Sequence, residues 1–466
     1  MNKMKQRLTR LLSIKLNNFK NVSKGFIEMP SFTTNQYASQ ESDILGIYGQ
    51  NGSGKTAAID ALQFLKEILL GNPLPKNAHN FISVSSESAT LSFELYILNN
   101  NFESIVNYEF VISTKNENTA FISAESIKFS KINEDNNIDS KITLIKYINK
   151  DGKFTYSPKY RYDQLSSGSK ETDIKIGVAE AVAYKENKSF IFCSEIRDLW
   201  TEAQKKDEAW FAITNALRNF AIESLFVVEN KHSSIISLDF ALPVAFKYVD
   251  NNTLTSGDML VSLSEPSIFE VSHFEMLKNI INEANPVISA LIPGFSIFIK
   301  EYGPQATKDG KEGIRFELMS NRNGDKIPLQ YESDGIKKIL SIINLLICAY
   351  NNPSFCVAFD ELDAGVYEYL LGELLSVINE TGKGQIIFTS HNLRPLELIN
   401  KNSMRFTTTN PNNRYIKLTN VGNTNNLRDL YLRSINLGGQ KEQIYEPTKE
   451  YEIRRAFRRA GNLNNG

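Results

Sequence analysis

Eight residues, GQNGSGKT from Gly49 to Thr56, constrain what this chain can fold into more than any other feature. They fit G-x-x-x-x-G-K-[S/T]. An apolar run, Asp43 to Tyr48, reads as a strand before them, and Lys55 to Leu70 reads as a helix after them. A loop of this composition between a strand and a helix is a phosphate cradle. Its glycines let backbone N–H groups converge on phosphate oxygens. The following helix turns its positive end toward the same anion. Asn51, Gly52, Ser53, Gly54, Lys55 and Thr56 are the candidate nucleotide contacts. Lys55 is suited to neutralise the β- and γ-phosphates and Thr56 to hold Mg2+. ATP and Mg2+ are the cofactors such a loop implies.

A second segment, FCVAFDEL from Phe355 to Leu362, places Asp360 at the carboxyl end of an apolar strand. Ligands of open α/β sheets bind at that end. Asp360 is a candidate Mg2+ ligand, through water. Glu361 beside it is a candidate general base that polarises the attacking water.

Two further segments bear on the kind of P-loop protein. YESDGIKKIL, Tyr331 to Leu340, opens a helix about 25 residues before Asp360. A Ser-x-Gly at a helix start is a good anion site, because hydroxyl, amide and helix dipole act together. The stretch resembles the signature motif of ABC-type ATPases, which grips the γ-phosphate of ATP held by the other subunit. Ser333 and Gly335 would carry that contact. LSSGSK, Leu165 to Lys170, has similar letters but precedes the Asp360 strand by nearly two hundred residues, without a helix-then-strand unit. IIFTSHN, Ile386 to Asn392, reads as a strand ending in a polar turn, and His391 matches the switch histidine of ABC-type heads.

These four segments in this order resemble the ABC-type ATPases of the SMC, RecF and OLD kind. The start, LLSIKLNNFKNV, resembles the first strand of that family, which implies a nucleotide contact for Lys20. ESDGIKK and DELDAGVYEYL are similar to segments of small bacterial ATPases of phage defence and toxin-linked operons, those of the PARIS system most and of Septu next. Val366 and Tyr367 replace a Leu-His pair of those relatives, and Ile336 replaces a common Thr. The glutamine that senses Mg2+ in ABC heads has no clear place; Gln63 falls inside the P-loop helix. The resemblance covers about residues 10–100 and 310–420.

The resemblance implies an α/β fold: an ABC-type P-loop head with a mixed or antiparallel β lobe, a parallel-sheet α/β lobe and a helical insertion. The expected division is 1–175 for an N-terminal lobe, 176–310 for a largely helical insertion, 311–425 for a C-terminal lobe and 426–466 for a basic tail. Ser13 to Phe19 reads as a half-buried edge strand, and the alternating runs from ATLSFELYIL to KITLIKYI as an antiparallel meander. No sustained heptads are present, so no long coiled coil is expected. The tail carries Arg454, Arg455, Arg458 and Arg459, read as a solvated helix end.

Composition narrows the function. Lys+Arg 52 against Asp+Glu 53 gives a net charge of −1, so contact with DNA would need a local patch. The three cysteines form no ligand cluster, and His79, His232 and His273 have no metal or catalytic context. No apolar run approaches a membrane span and the start breaks too soon for a signal peptide, so a cytoplasmic chain is expected. Of the 466 residues, 75 follow His391 and offer no acidic cluster for a nuclease. The expectation is a homodimeric or ring-forming ATPase that senses a phage trigger and controls a separate effector nuclease. The rival is a RecF-like or SMC-like ATPase that closes on DNA.

Overall fold

The structure is a computed structural model. It describes residues 7–462 except 100–101, 117, 134, 167–169, 204, 231–234, 237, 251–252 and 420–425. His232 and the middle of LSSGSK lie outside the described residues.

The P-loop strand Asp43–Tyr48 sits inside a six-stranded sheet ordered Tyr415–Ile416, Met404–Thr407, Asp43–Tyr48, Gln385–Thr389, Cys356–Phe359, Leu225–Val228. All neighbours run parallel except the short Tyr415–Ile416, which is antiparallel. Every residue of the three central strands is buried. Parallel strands covered on both faces read as continuous apolar runs, which is why DILGIY, CVAF and QIIFT show no alternation. Their registers (Phe388 beside both Gly46 and Phe359) bring three strand ends level. The P-loop, the Asp360 turn and the His391 turn therefore leave the sheet side by side.

The second lobe is a seven-stranded antiparallel sheet, ordered Val22–Glu28, Arg7–Phe19, Ser88–Asn99, Phe102–Asn116, Thr119–Lys131, Ile142–Lys150, Lys153–Ser157. The expected meander forms its larger part. The first strand differs from its expectation. It spans Arg7–Phe19, is paired on both edges and buries Leu11, Leu12, Ile14 and Leu16. Neighbouring strands of its own sheet cover both edges, and the other lobe adds contacts. Arg10 reaches the carbonyls of Pro353 and Lys383 at 3.1 and 3.0 Å, and Gln385 exchanges 2.8 Å bonds with the backbone of Leu11. No local alternation could announce such a contact across more than 340 positions of chain.

The P-loop helix Lys55–Leu70 packs its apolar face, including Leu62, Leu65 and Leu69, into one core with the antiparallel sheet. A run of helices closes that core. Lys159–Ser166 and Lys170–Glu186 start within the span expected for the N-terminal lobe, and Arg197–Ala203 and Ala209–Asn219 bring in stacked Trp200 and Trp210, 5.2 Å apart. The span 176–310 is less helical than expected. After Asn219 it holds strands Leu225–Val228, Ala241–Asp250, Thr253–Ser262, Ser267–Glu270 and Phe295–Pro304. The first lines the edge of the parallel sheet and the others cover helix Val271–Leu291 and the helix Asp334–Asn351.

Candidate active site

Each glycine of the P-loop meets a local demand. Gly49, at φ 151°, approaches the Thr407 hydroxyl so closely that a Cβ would lie 1.7 Å from its oxygen. Gly54 caps the helix in the left-handed region, at φ 95°. A side chain there would be strained by the backbone before any packing is considered. Ser53 turns away from the cradle, donating to the Gln50 carbonyl and meeting the Thr407 hydroxyl at 2.5 Å.

Lys55 is buried at the helix start. Its ammonium donates to the carbonyls of Gly49 at 2.9 Å and Gln50 at 3.2 Å. Burial lowers its pKa, and Asp360, Glu361 and Asp363 nearby oppose that shift. One turn on, Thr56 Oγ1 donates to Asp360 Oδ1 at 3.3 Å. Thr389, at the end of the strand leading to His391, donates to the same Asp360 oxygen at 2.7 Å. The Thr389 hydroxyl also accepts the Glu361 backbone N–H at 2.8 Å. Glu361 sits in the left-handed region, at φ 50°, and Asn230 Nδ2 donates to its Oε2 at 2.6 Å. A non-glycine residue rarely adopts that backbone, and such positions cluster at functional sites.

Lys20, Asn51, Gly52, Gly54, Lys55, Thr56, Asp360 and Glu361 line one open cleft of about 1030 Å³. That volume suits a nucleotide. Lys20 is ion-paired with Asp60, on the P-loop helix, and lies 4.9 Å over the Phe81 ring. Arg414 adds a buried cation to the wall, donating to the Thr408 and Asn21 carbonyls at 2.5 and 2.6 Å.

The remaining candidates stand outside the cleft. Ser333 caps helix Asp334–Asn351, its hydroxyl accepting from Ile336 N at 3.4 Å, and it is exposed. Gly335 packs on the loop after Glu361: a Cβ there would lie 2.2 Å from the Gly365 carbonyl oxygen. His391 is exposed, and its backbone N–H donates to Asp363 Oδ2 at 3.0 Å. Leu165 lies in helix Lys159–Ser166, and Lys170 opens helix Lys170–Glu186. No glutamine lies among the described residues of the cleft wall.

The donor set fits a magnesium nucleotide. Thr56 Oγ1 and Asp360 Oδ1 are 3.3 Å apart. With Thr56 Oγ1 on the ion, a carboxylate oxygen at that distance is placed to hold the ion through a bound water. Few protein ligands are needed, because Mg2+ in phosphate-transfer sites keeps water and substrate oxygens.

Sequence reasoning missed Thr389, Asn230, Asp60, Arg414 and Lys338. Lys338, two residues after Ile336, is buried, and its pKa is lowered by that burial against the pull of Asp360, Glu361 and Asp363. Thr389 lies inside the IIFTSHN segment, where its place at a strand end was a usable signal. Asp60 and Lys338 lie within the P-loop helix and the YESDGIKKIL segment, where no residue pattern marked them, and Asn230 and Arg414 come from parts of the chain with no local mark.

A family described as "AAA domain, putative AbiEii toxin, Type IV TA system" matches residues 44–397, which hold all four segments. No curated protein matches the sequence. Among solved structures, the Smc head domain of Pyrococcus furiosus bound to the C-terminal domain of ScpA is similar at 12% identity and a TM-score of 0.37, over 88% of this chain and 96% of that one. The SMC head domain of Thermotoga maritima is similar at 14% identity and a TM-score of 0.36, over 88% and 99%. The recombination mediator RecF with ATP is similar at 14% identity and a TM-score of 0.33, over 83% and 94%.

Proposed function

The chain belongs to this family of AAA domains, and on that premise we propose that it binds and hydrolyses ATP at a site completed by a second copy. One observation carries the reading. The P-loop and Asp360–Glu361 share a cleft, while Ser333, the exposed cap of a helix N-terminus, is not among the residues that line it. A capped anion site that does not serve its own P-loop suits a facing one. Gly335 and Gly365 fix that cap to the loop that follows Glu361. An ATP seen by Ser333 of one copy is thereby tied to the base of the same copy.

In this reading Lys55 and Thr56 hold the phosphates and Mg2+, Asp360 orients the ion through water, and Glu361 takes the proton of the attacking water. His391 and Ser333 sense the γ-phosphate. The Lys20 ammonium pairs with Asp60 and contacts a nucleotide only when that pair opens.

We assign the ATPase to regulation. The resemblance of ESDGIKK and DELDAGVYEYL to small defence ATPases supports a sensor of a phage trigger that governs a separately encoded, Toprim-like nuclease, with a PARIS-type system as the nearest pattern. The near-neutral net charge of −1 supports a protein effector over DNA. The test is affinity purification of the tagged chain with its neighbouring reading frames co-expressed. Stoichiometric recovery of a nuclease-like neighbour, sensitive to Lys55→Ala, is expected. Duplex-DNA binding that weakens steeply with salt, with no protein recovered, would replace this reading by the DNA clamp.

A further inference from the structure

We propose that the C-terminal arm, Gln440 to Asn462, is a clasp whose basic helix docks on the Ser333 face of a second copy of this chain. The proposal rests on the two-copy site proposed above and names what holds the copies together.

The root of the arm is fastened beside the P-loop. Thr409 N donates to the Gln443 carbonyl at 2.8 Å, and Asn410 and Asn413 donate to Glu442 at 3.1 and 3.0 Å. Ile444 is buried. Glu446 N donates to Gln50 Oε1 at 2.9 Å, and Gln50 is the second residue of the phosphate cradle. Beyond this point the chain leaves the body. Every residue from Glu446 to Ala460 is exposed, including the helix that begins at Glu450.

That helix is built to be covered. Ile453, Ala456, Phe457 and Ala460 recur at i, i+3, i+4 and i+7, which forms one apolar stripe. Phe457 is 77% exposed and Tyr451 72%. Arg454, Arg455, Arg458 and Arg459 lie opposite the stripe, with Glu450 and Glu452 at its borders and Glu450 accepting from Arg454 at 2.5 Å. A helix this short is marginal in water without packing.

The complementary surface lies on the same molecule, at the other half of the composite site. The start of helix Asp334–Asn351 and the loop after Glu361 are joined where Gly335 meets Gly365. Asp334, at the start of that helix, is exposed, and in the helix that follows the loop Glu373 is exposed and Glu368 half-buried. Tyr331, Tyr367 and Tyr369 are also exposed, the last two with rings 5.8 Å apart. Lys337 and Lys338 are buried. An apolar stripe backed by four arginines fits exposed tyrosines with carboxylates beside them, Tyr369 already carrying Arg394 4.7 Å over its ring, and the excess of opposite charge steers the encounter.

Geometry selects a second copy as the occupant. In the two-copy site the Ser333 face of one molecule stands opposite the P-loop of the other, and the arm starts from that P-loop. Residues 446–449 span at most about 14 Å, enough to cross an interface and too short to roam. Gln50 also links the arm root to the loop that receives the phosphates.

The test uses the full chain carrying Glu361→Gln in ATP, with dimer dissociation followed by mass photometry. Removing residues 450–466, or the fourfold change Arg454→Glu, Arg455→Glu, Arg458→Glu and Arg459→Glu, is expected to weaken the dimer by about tenfold or more, or ~1.4 kcal/mol. Affinity of the monomer for a fluorescent ATP analogue should stay unchanged. Mixing the charge-reversed chain with copies carrying Glu368→Arg and Glu373→Arg should restore dimers. A dimer indifferent to the arm would overturn the clasp alone. Loss of duplex-DNA binding with intact dimerisation would do the same and give the helix to nucleic acid. A full-length Glu361→Gln chain that stays monomeric in ATP would bring down the two-copy site and the clasp with it.

Discussion

The carbonyl oxygen of Gly365 stands 2.2 Å from the point at which residue 335 would carry a Cβ, so Gly335 and Gly365 meet backbone to backbone. Gly335 therefore has a packing role within its own molecule as well as the proposed contact with a facing nucleotide. In Gly335→Ala the helix start is pushed off the loop that follows Glu361. We expect turnover to fall by about 100-fold, the cost of a displacement near 1 Å at a reacting centre. ATP binding to the chain's own P-loop should persist. Steady-state turnover and nucleotide titration on one preparation separate the two effects.

Glu361→Gln keeps the size of the side chain and can still meet Asn230, but it cannot take a proton. Turnover should drop about 10²- to 10⁴-fold, the usual contribution of a positioned base. ATP should still bind, and closed dimers should accumulate. Phosphate release and mass photometry read the two outcomes, and retained turnover would move the base elsewhere.

Lys55→Ala removes a buried ammonium that now rests on the Gly49 and Gln50 carbonyls. Loss of one partner of a buried charged contact costs about 2–5 kcal/mol, so ATP affinity should collapse. Burial lowers the pKa of Lys55. The ammonium is the form that attracts phosphate. Affinity of the wild type should therefore fall, as pH rises, at a lower pH than an ordinary lysine would give. Calorimetric titrations across alkaline pH check the sign.

Thr389→Val is nearly isosteric and deletes one hydroxyl. Asp360 loses a 2.7 Å donor and the Glu361 N–H loses its acceptor. Removing a group that orients a metal ligand typically costs 10- to 100-fold in metal affinity or activity. The Mg2+ concentration for half-maximal turnover should rise by about that factor, while metal-free nucleotide binding stays near wild type.

Glu125 is a stability switch far from the cleft. It is fully buried in the antiparallel lobe and accepts from Tyr108 at 2.5 Å, Ser189 at 2.7 Å and Phe190 N at 3.1 Å, with Tyr147 as fourth donor. Burial pushes its pKa up despite those donors. Between the ordinary carboxylate value and the raised one, the folded state binds more protons than the unfolded state. Stability therefore falls as pH rises through that window. Glu125→Gln should flatten this slope, as read from urea midpoints on either side of it.

The sequence by itself determined the chemistry-bearing parts. GQNGSGKT, FDE, ESDG and TSHN each sit at a strand end or helix start, and local rules for glycine, capping and apolar runs place them there. It also determined the meander, because alternation is a property of neighbouring residues. It left open what depends on contacts between distant positions. The first strand is interior because Val22–Glu28 and Ser88–Asn99 pair with its two edges, and Arg10 and Leu11 tie it to Pro353, Lys383 and Gln385. The strands after Asn219 form because sheet edges and helix Val271–Leu291 cover them. Thr389, Asn230 and Lys338 join the site only when the parallel sheet brings its strand ends level. Side-chain periodicity encodes which face is buried, but the partner that buries it is chosen by the folded chain.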